Sequence, residues 1–200
     1  MLFKDIALLD ENMEIQHHMQ VGIRDDKISY IGKEEPKEDY GEIYDGKNKL
    51  LMPGLINAHA HTPMTLLRGY GENMALQDWL EKRIFPFEAL LNKEDVYYGY
   101  LLGVAEMLRF GVVATTDMYY FGESMAKAVI DSGFKSNIGL SVVCFNDQDY
   151  QQLPIYREVT DVYNNYHMAG EGRLRVDLSV HAEYTSTPKV VAAVAEHCRE

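Results

Sequence analysis

Leu51-Met52-Pro53-Gly54-Leu55-Ile56-Asn57-Ala58-His59-Ala60-His61 decides how this chain is read. An apolar run opened by Pro-Gly and closed by a polar turn reads as a strand approach. Residues i and i+2 of a strand project from the same face, so His59 and His61 point together, while Ala58 and Ala60 keep the other face small. Two imidazoles on one face can share a divalent ion, with metal–nitrogen distances near ~2.0–2.1 Å for zinc. The plainer alternative is a pair of packed or hydrogen-bonded histidines. His17-His18 provides the contrast, because neighbours along a strand face opposite sides and this pair reads as surface residues.

Downstream of the motif, strands alternate with helices. A helix is predicted from about residue 94 to 110, capped by Asn92 with Asp95 three positions on. Tyr97, Leu101, Val104 and Leu108 form its expected buried face, and Gly111 stops it in the left-handed region. Val112 to Thr116 reads as the next strand, Met125, Val129 and Ile130 mark a short helix stopped by Gly133, and Ile138 to Val143 reads as a third strand. Ile155, Val159, Val162 and Tyr166 mark another helix before a fourth strand, Leu174 to Val180. Thr187 caps a last helix with Pro188 in its first turn. Strands alternating with helices imply parallel βαβ units. An eight-stranded barrel of such units needs about 250 residues. The roughly 150 residues after residue 50 suit the first half of one, and a complete open four-stranded α/β sheet fits the periodicity equally well.

Upstream, the first fifty residues read as short strands, Phe3 to Leu9, Met19 to Ile23 and Ile28 to Ile31, with Arg24 to Lys27 as a hairpin turn. The acidic, Pro-containing stretch from Glu34 to Glu42 separates these strands from the alternating region. A boundary near residue 50 therefore divides a β subdomain, 1–50, from a βα region, 51–200.

Composition narrows the partners. The chain has 19 Lys and Arg against 31 Asp and Glu, a net charge of −12, with no basic cluster. That argues against nucleic acid and against an anionic membrane surface. No apolar run reaches the ~18 residues of a membrane span. The N-terminus carries Asp5 and Asp10 and lacks a signal-peptide core, which argues against export. Cys144 and Cys198, the only cysteines, are far apart and suit a reducing compartment, so the cytoplasm is the expectation. Self-assembly into a homo-oligomer is left open.

The stretch Met52 to Gly69 resembles the first-strand signature of the metal-dependent amidohydrolase superfamily, and more narrowly its methylthioadenosine/S-adenosylhomocysteine deaminases and related chlorohydrolases. The likeness continues through Trp79-Leu80, Pro86-Phe87-Glu88, Tyr97-Tyr98-Gly99, Thr116-Asp117-Met118-Tyr119 and His181-Ala182-Glu183-Tyr184-Thr185. It implies the first half of a (β/α)8 barrel preceded by a small β-sandwich subdomain. It implies that His59 and His61 bind one divalent metal, most simply zinc, with iron or manganese as alternatives. Glu88 matches a position that holds ribose hydroxyls, His181 one that contacts the purine, and Trp79 would wall the pocket. The implied reaction is hydrolytic deamination of an adenosine-type nucleoside, such as 5′-methylthioadenosine, by hydroxide generated at the metal.

The resemblance also sets limits. The fourth strand ends at His181 without a bridging lysine, which favours a mononuclear site. The further histidine, the aspartate and the proton-shuttling glutamate of the superfamily have no match before Glu200, so no catalytic residue is expected within this chain and a longer protein is. Members that bind S-adenosylhomocysteine use arginines after the third strand, whereas Leu140 to Asp147 contains none; uncharged 5′ substituents are therefore expected to be preferred. The alternatives are a guanine or cytosine deaminase, an s-triazine chlorohydrolase, or a half-barrel that binds metal without catalysis.

Overall fold

A computed structural model describes residues 1–199. The chain divides into two compact units, Met1–Gly54 and Leu55–Glu200, a few residues beyond the boundary expected from composition. The first unit contains β1 (Leu2–Leu9), β2 (Ile15–Arg24), β3 (Lys27–Gly32), β4 (Ile43–Asp45) and β5 (Leu50–Leu51). They form one five-stranded sheet in the order β3-β2-β1-β4, with β5 also alongside β1. β1, β2 and β3 pair antiparallel, whereas β4 and β5 run parallel to β1. Ile6, Met19 and Val21 form its core. It is a single layer, as expected of residues that build only part of a sandwich. His17 and His18 are exposed on β2, and the His18 Nδ1 lies 2.7 Å from an Asp5 carboxylate oxygen.

The second unit begins with β6 (Leu55–Ala60), followed by a 3-10 turn, Thr62–Leu67, and a helical run, Leu76–Glu88. Next come α1 (Lys93–Arg109), β7 (Val112–Tyr119), α2 (Gly122–Ser132), β8 (Lys135–Val142), α3 (Pro154–Tyr166), β9 (Leu174–Val180) and α4 (Pro188–His197). The sheet order is β6-β7-β8-β9 with every pair parallel. Helices α1 to α3 pack against one face through Val96, Tyr100, Met125, Val129, Ile138 and Val159. The other face is small and polar: Gly139 lies against Ser179, and Asn137 donates to Asp177. Helices covering one face of a parallel sheet are the arrangement of a βα barrel wall.

Local signals set the helix limits. Asn92 Oδ1 accepts from the Glu94 and Asp95 amides while the Asp95 carboxylate accepts from the Asn92 amide, a reciprocal cap. Gly111 at φ +78 and Gly133 at φ +69 adopt the left-handed conformation that ends α1 and α2. Thr187 Oγ1 accepts from Val190 to start α4.

The buried face of α1 differs from the expected one. It consists of Val96, Gly99, Tyr100, Gly103 and Val104, whereas Leu108 is exposed and Tyr97 and Leu101 are only partly covered. Two glycines, invisible to a hydrophobic period, let the helix lie directly on the 3-10 turn that follows His61. A Cβ on Gly99 would stand 2.9 Å from the Pro63 carbonyl oxygen, and one on Gly103 would overlap the Thr62 methyl. Thr65 Oγ1 donates to the Gly99 carbonyl at 2.7 Å across this contact. Gly103→Ala tests the close approach, because helix propensity alone favours alanine by up to ~1 kcal/mol. Overpacking against Thr62 reverses that sign, giving a net loss of about 1–2 kcal/mol in denaturant unfolding. An unchanged or higher midpoint would contradict the packing described.

Candidate active site

The candidate residues gather at the carboxyl ends of the parallel strands, the face on which βα barrels carry their chemistry. A cleft of about 630 Å³ is lined there by His61, Trp79, Glu88 and His181, together with Met64, Tyr119 and residues of the loops after β8 and β9. His59 stands beside it, its ring centroid 5.0 Å from that of His61 with the planes at 80°. Two imidazoles bound to one tetrahedral cation at ~2.1 Å place their centroids about 5 Å apart, so this separation suits a shared ion. A separate hollow of about 550 Å³ alongside α1 holds the exposed Arg68–Glu106 ion pair and shares only His61 with the candidates.

β7 orients His61. The Nδ1 of His61 lies 2.6 Å from the Met118 carbonyl oxygen. A carbonyl only accepts, so Nδ1 carries the proton and Nε2 is left with a free lone pair, the tautomer a metal requires. Asp117, whose partner the sequence does not reveal, is 2% exposed and takes the backbone amide of Thr62 on both carboxylate oxygens, at 3.2 and 3.3 Å. It thereby holds the chain as it leaves His61. Burial pushes the Asp117 carboxyl up, and the Thr62 bonds oppose that.

His181 follows β9 directly, its amide bonded to the Val142 carbonyl, and its ring stacks 6.2 Å from that of His61 at 17°. Burial, then the fields of His61 and His59, lower its pKa, so the ring is neutral at pH 7 and able both to donate and to accept. Among the described residues no group of three or more His, Cys, Asp or Glu could hold a metal. His59 and His61 are the candidate donors, and nitrogen donors of this kind suit a divalent transition metal. His197 is elsewhere, its Nδ1 3.1 Å from the Tyr150 hydroxyl.

Trp79 and Glu88 reach the cleft through an irregular helix. An α turn, Leu76–Trp79, passes into a π stretch, Leu80–Ile84, and back to an α turn, Phe85–Glu88. The i to i+5 bond from the Phe85 amide to the Leu80 carbonyl widens the turn, so that Trp79, Leu80, Ile84, Phe85 and Glu88 all line the cleft. Hydrophobic periodicity misses this element because its repeat changes midway. Glu88 Oε1 accepts from the Tyr119 hydroxyl at 2.8 Å, leaving Oε2 for another donor. Burial raises the Glu88 pKa, and the Tyr119 bond and the His61 field lower it in part. Sequence reasoning misses Tyr119 and this pairing, since the partners are 31 positions apart.

Four parallel βα units with candidate ligands along their carboxyl edge define the first half of a (β/α)8 barrel. The Amidohydrolase family matches residues 50–200, and the BsNagA composite domain matches residues 1–45. The chain belongs to the amidohydrolase family. It is 38% identical over 199 residues to a 5-methylthioadenosine/S-adenosylhomocysteine deaminase of Dictyoglomus thermophilum, covering 100% of this chain and 46% of that protein. It is 39% identical over 174 residues to a 5′-deoxyadenosine deaminase of Methanocaldococcus jannaschii, covering 86% and 41%. The chain thus spans about half the length of these relatives. A zinc-complexed atrazine chlorohydrolase from Arthrobacter aurescens shares the fold, with a TM-score of 0.84 at 19% identity over 99% of this chain and 50% of that one.

Tyr119→Phe tests the Glu88 pairing through pH. The Glu88 pKa is raised on folding, so its stability penalty grows as pH rises through the folded value and is absent once the group is protonated. Loss of the hydroxyl should cost about 1 kcal/mol near pH 7, where the carboxylate is charged, and less near pH 4. Urea unfolding at both pH values checks this; an equal loss at each would contradict it.

Proposed function

We propose that the full protein is a metal-dependent hydrolase that removes the amino group of an adenosine-type nucleoside as ammonia. The observation that carries this reading is the single cleft lined by His61, Trp79, Glu88 and His181 beside His59. The relatives named for adenosine-type substrates support it. His59 and His61 would hold the cation, taken as zinc, although the same donors accept iron or manganese. A cation bound there supplies water activated for attack at neutral pH.

The remaining steps belong to the chain itself. The free Glu88 oxygen accepts from a ribose hydroxyl while the Tyr119 hydroxyl keeps the carboxylate from rotating away. Neutral His181, stacked beside His61, is within the same cleft to hydrogen-bond the purine edge. Trp79 offers a flat apolar wall that limits water around the ring. A free base has no diol for Glu88 to hold, which separates this reading from a guanine or cytosine deaminase or a chlorohydrolase.

The full-length protein is expected to release ammonia from 5′-methylthioadenosine and 5′-deoxyadenosine. Glu88→Gln should lower kcat/KM for these nucleosides by about tenfold or more while sparing any turnover of free adenine. Absence of ammonia with every adenosine derivative would overturn the assignment, and equal losses on nucleoside and base would remove Glu88 from the ribose.

A further inference from the structure

Helix α2 starts without a cap of its own. Its N-cap position is Phe121, whose side chain carries no acceptor and whose backbone lies at φ +57 and ψ +59. That left-handed region is costly for a large L side chain, and such a residue persists only where its surroundings over-determine it. Three sets of contacts do so here. The Phe121 carbonyl accepts from the Ser124 amide at 2.9 Å and the Met125 amide at 3.2 Å, while its ring packs against the buried core. Gly122 rests on Leu140 so closely that a Cβ would stand 2.7 Å from Leu140 Cδ1, and Leu140 is the residue paired with Tyr119 across β7 and β8. Glu158, reaching over from α3, accepts the Gly122 amide on Oε1 at 3.0 Å. It supplies from another helix the oxygen that a Ser, Thr or Asp ordinarily provides at the N-cap.

The turn directly follows Tyr119 and Tyr120, which both line the cleft with their ring centroids 5.1 Å apart. The Tyr119 hydroxyl is the donor that holds Glu88 Oε1. Resting on the nucleoside reading above, we propose that Glu158 is a positioning residue for nucleoside binding: its bond to Gly122 holds the Phe121 turn, and the turn sets Tyr119 against Glu88. Glu158 acts through the backbone and touches no substrate. Without its carboxylate the buried Gly122 amide is left unsatisfied, and the left-handed residue loses one of its restraints. Phe121 then relaxes toward ordinary negative φ. Because β7 ends two residues earlier, the displacement falls on the Tyr119 hydroxyl. The Glu88 carboxylate is then free to turn, so nucleoside affinity falls while the chemical step is untouched.

The full-length enzyme with 5′-methylthioadenosine provides the test. Glu158→Ala should raise KM about fivefold with kcat within about twofold of wild type, and Glu158→Gln, which keeps an acceptor oxygen, should restore most of the loss. Glu158→Ala and Tyr119→Phe should be non-additive, so that adding the first to the second raises KM no further. Urea unfolding near pH 7 reads the same coupling without substrate, because the drop in midpoint caused by Tyr119→Phe should shrink in the Glu158→Ala background. Should Glu158→Ala fail to fold, Glu158→Asp, one methylene shorter, carries the same comparisons. A lowered unfolding midpoint with unchanged KM, KM factors that multiply in the double variant, or Glu158→Gln as impaired as Glu158→Ala would each overturn the proposal. Wild-type enzyme that releases ammonia from no adenosine derivative overturns the nucleoside reading instead, and the urea comparison still decides whether Glu158 acts through Tyr119.

Discussion

The hydrogen bond from His61 Nδ1 to the Met118 carbonyl is the constraint on which the site depends. It exists because β6 and β7 pair in parallel, with Ala60 opposite Asp117, which brings the end of one strand beside the carbonyl of the next. The bond sets the imidazole tautomer and leaves Nε2 as the unprotonated nitrogen. Asp117, the neighbour of Met118, holds the Thr62 amide and fixes the chain one residue beyond the ring. Backbone pairing thus orients the His61 ring directly, and the Asp117 carboxylate secures the turn that follows it.

Burial and charge then sort the surrounding groups. Burial lowers the His181 pKa, which favours its neutral ring. Glu88 is pushed the other way, toward holding its proton, and the Tyr119 hydroxyl partly restores the carboxylate. A half-buried acid bound on one oxygen is suited to taking a hydroxyl on the other, because reorienting it during binding would cost that bond. The π stretch serves the same end by presenting Trp79 and Glu88 from one helical run.

Much of this was legible in the residues themselves. The His59 and His61 pairing follows from strand alternation, and the limits of α1, α2 and α4 follow from Asn92, Gly111, Gly133 and Thr187. Features that depend on contacts between distant segments left no local mark. The buried face of α1 is set by Gly99 and Gly103 against Thr62, and glycine adds nothing to a hydrophobic pattern. β4 and β5 are too short to show alternation and owe their existence to β1. The Tyr119–Glu88 bond and the Glu158–Gly122 bond need the sheet to form first.

The central claim is that His59 and His61 converge on one cation. Metal analysis of the purified full-length protein, beside His59→Ala and His61→Ala variants that retain the wild-type circular dichroism, tests it most directly. About one divalent ion per chain is expected in the wild type, with marked loss in both variants. Wild-type metal content in either folded variant would contradict the account.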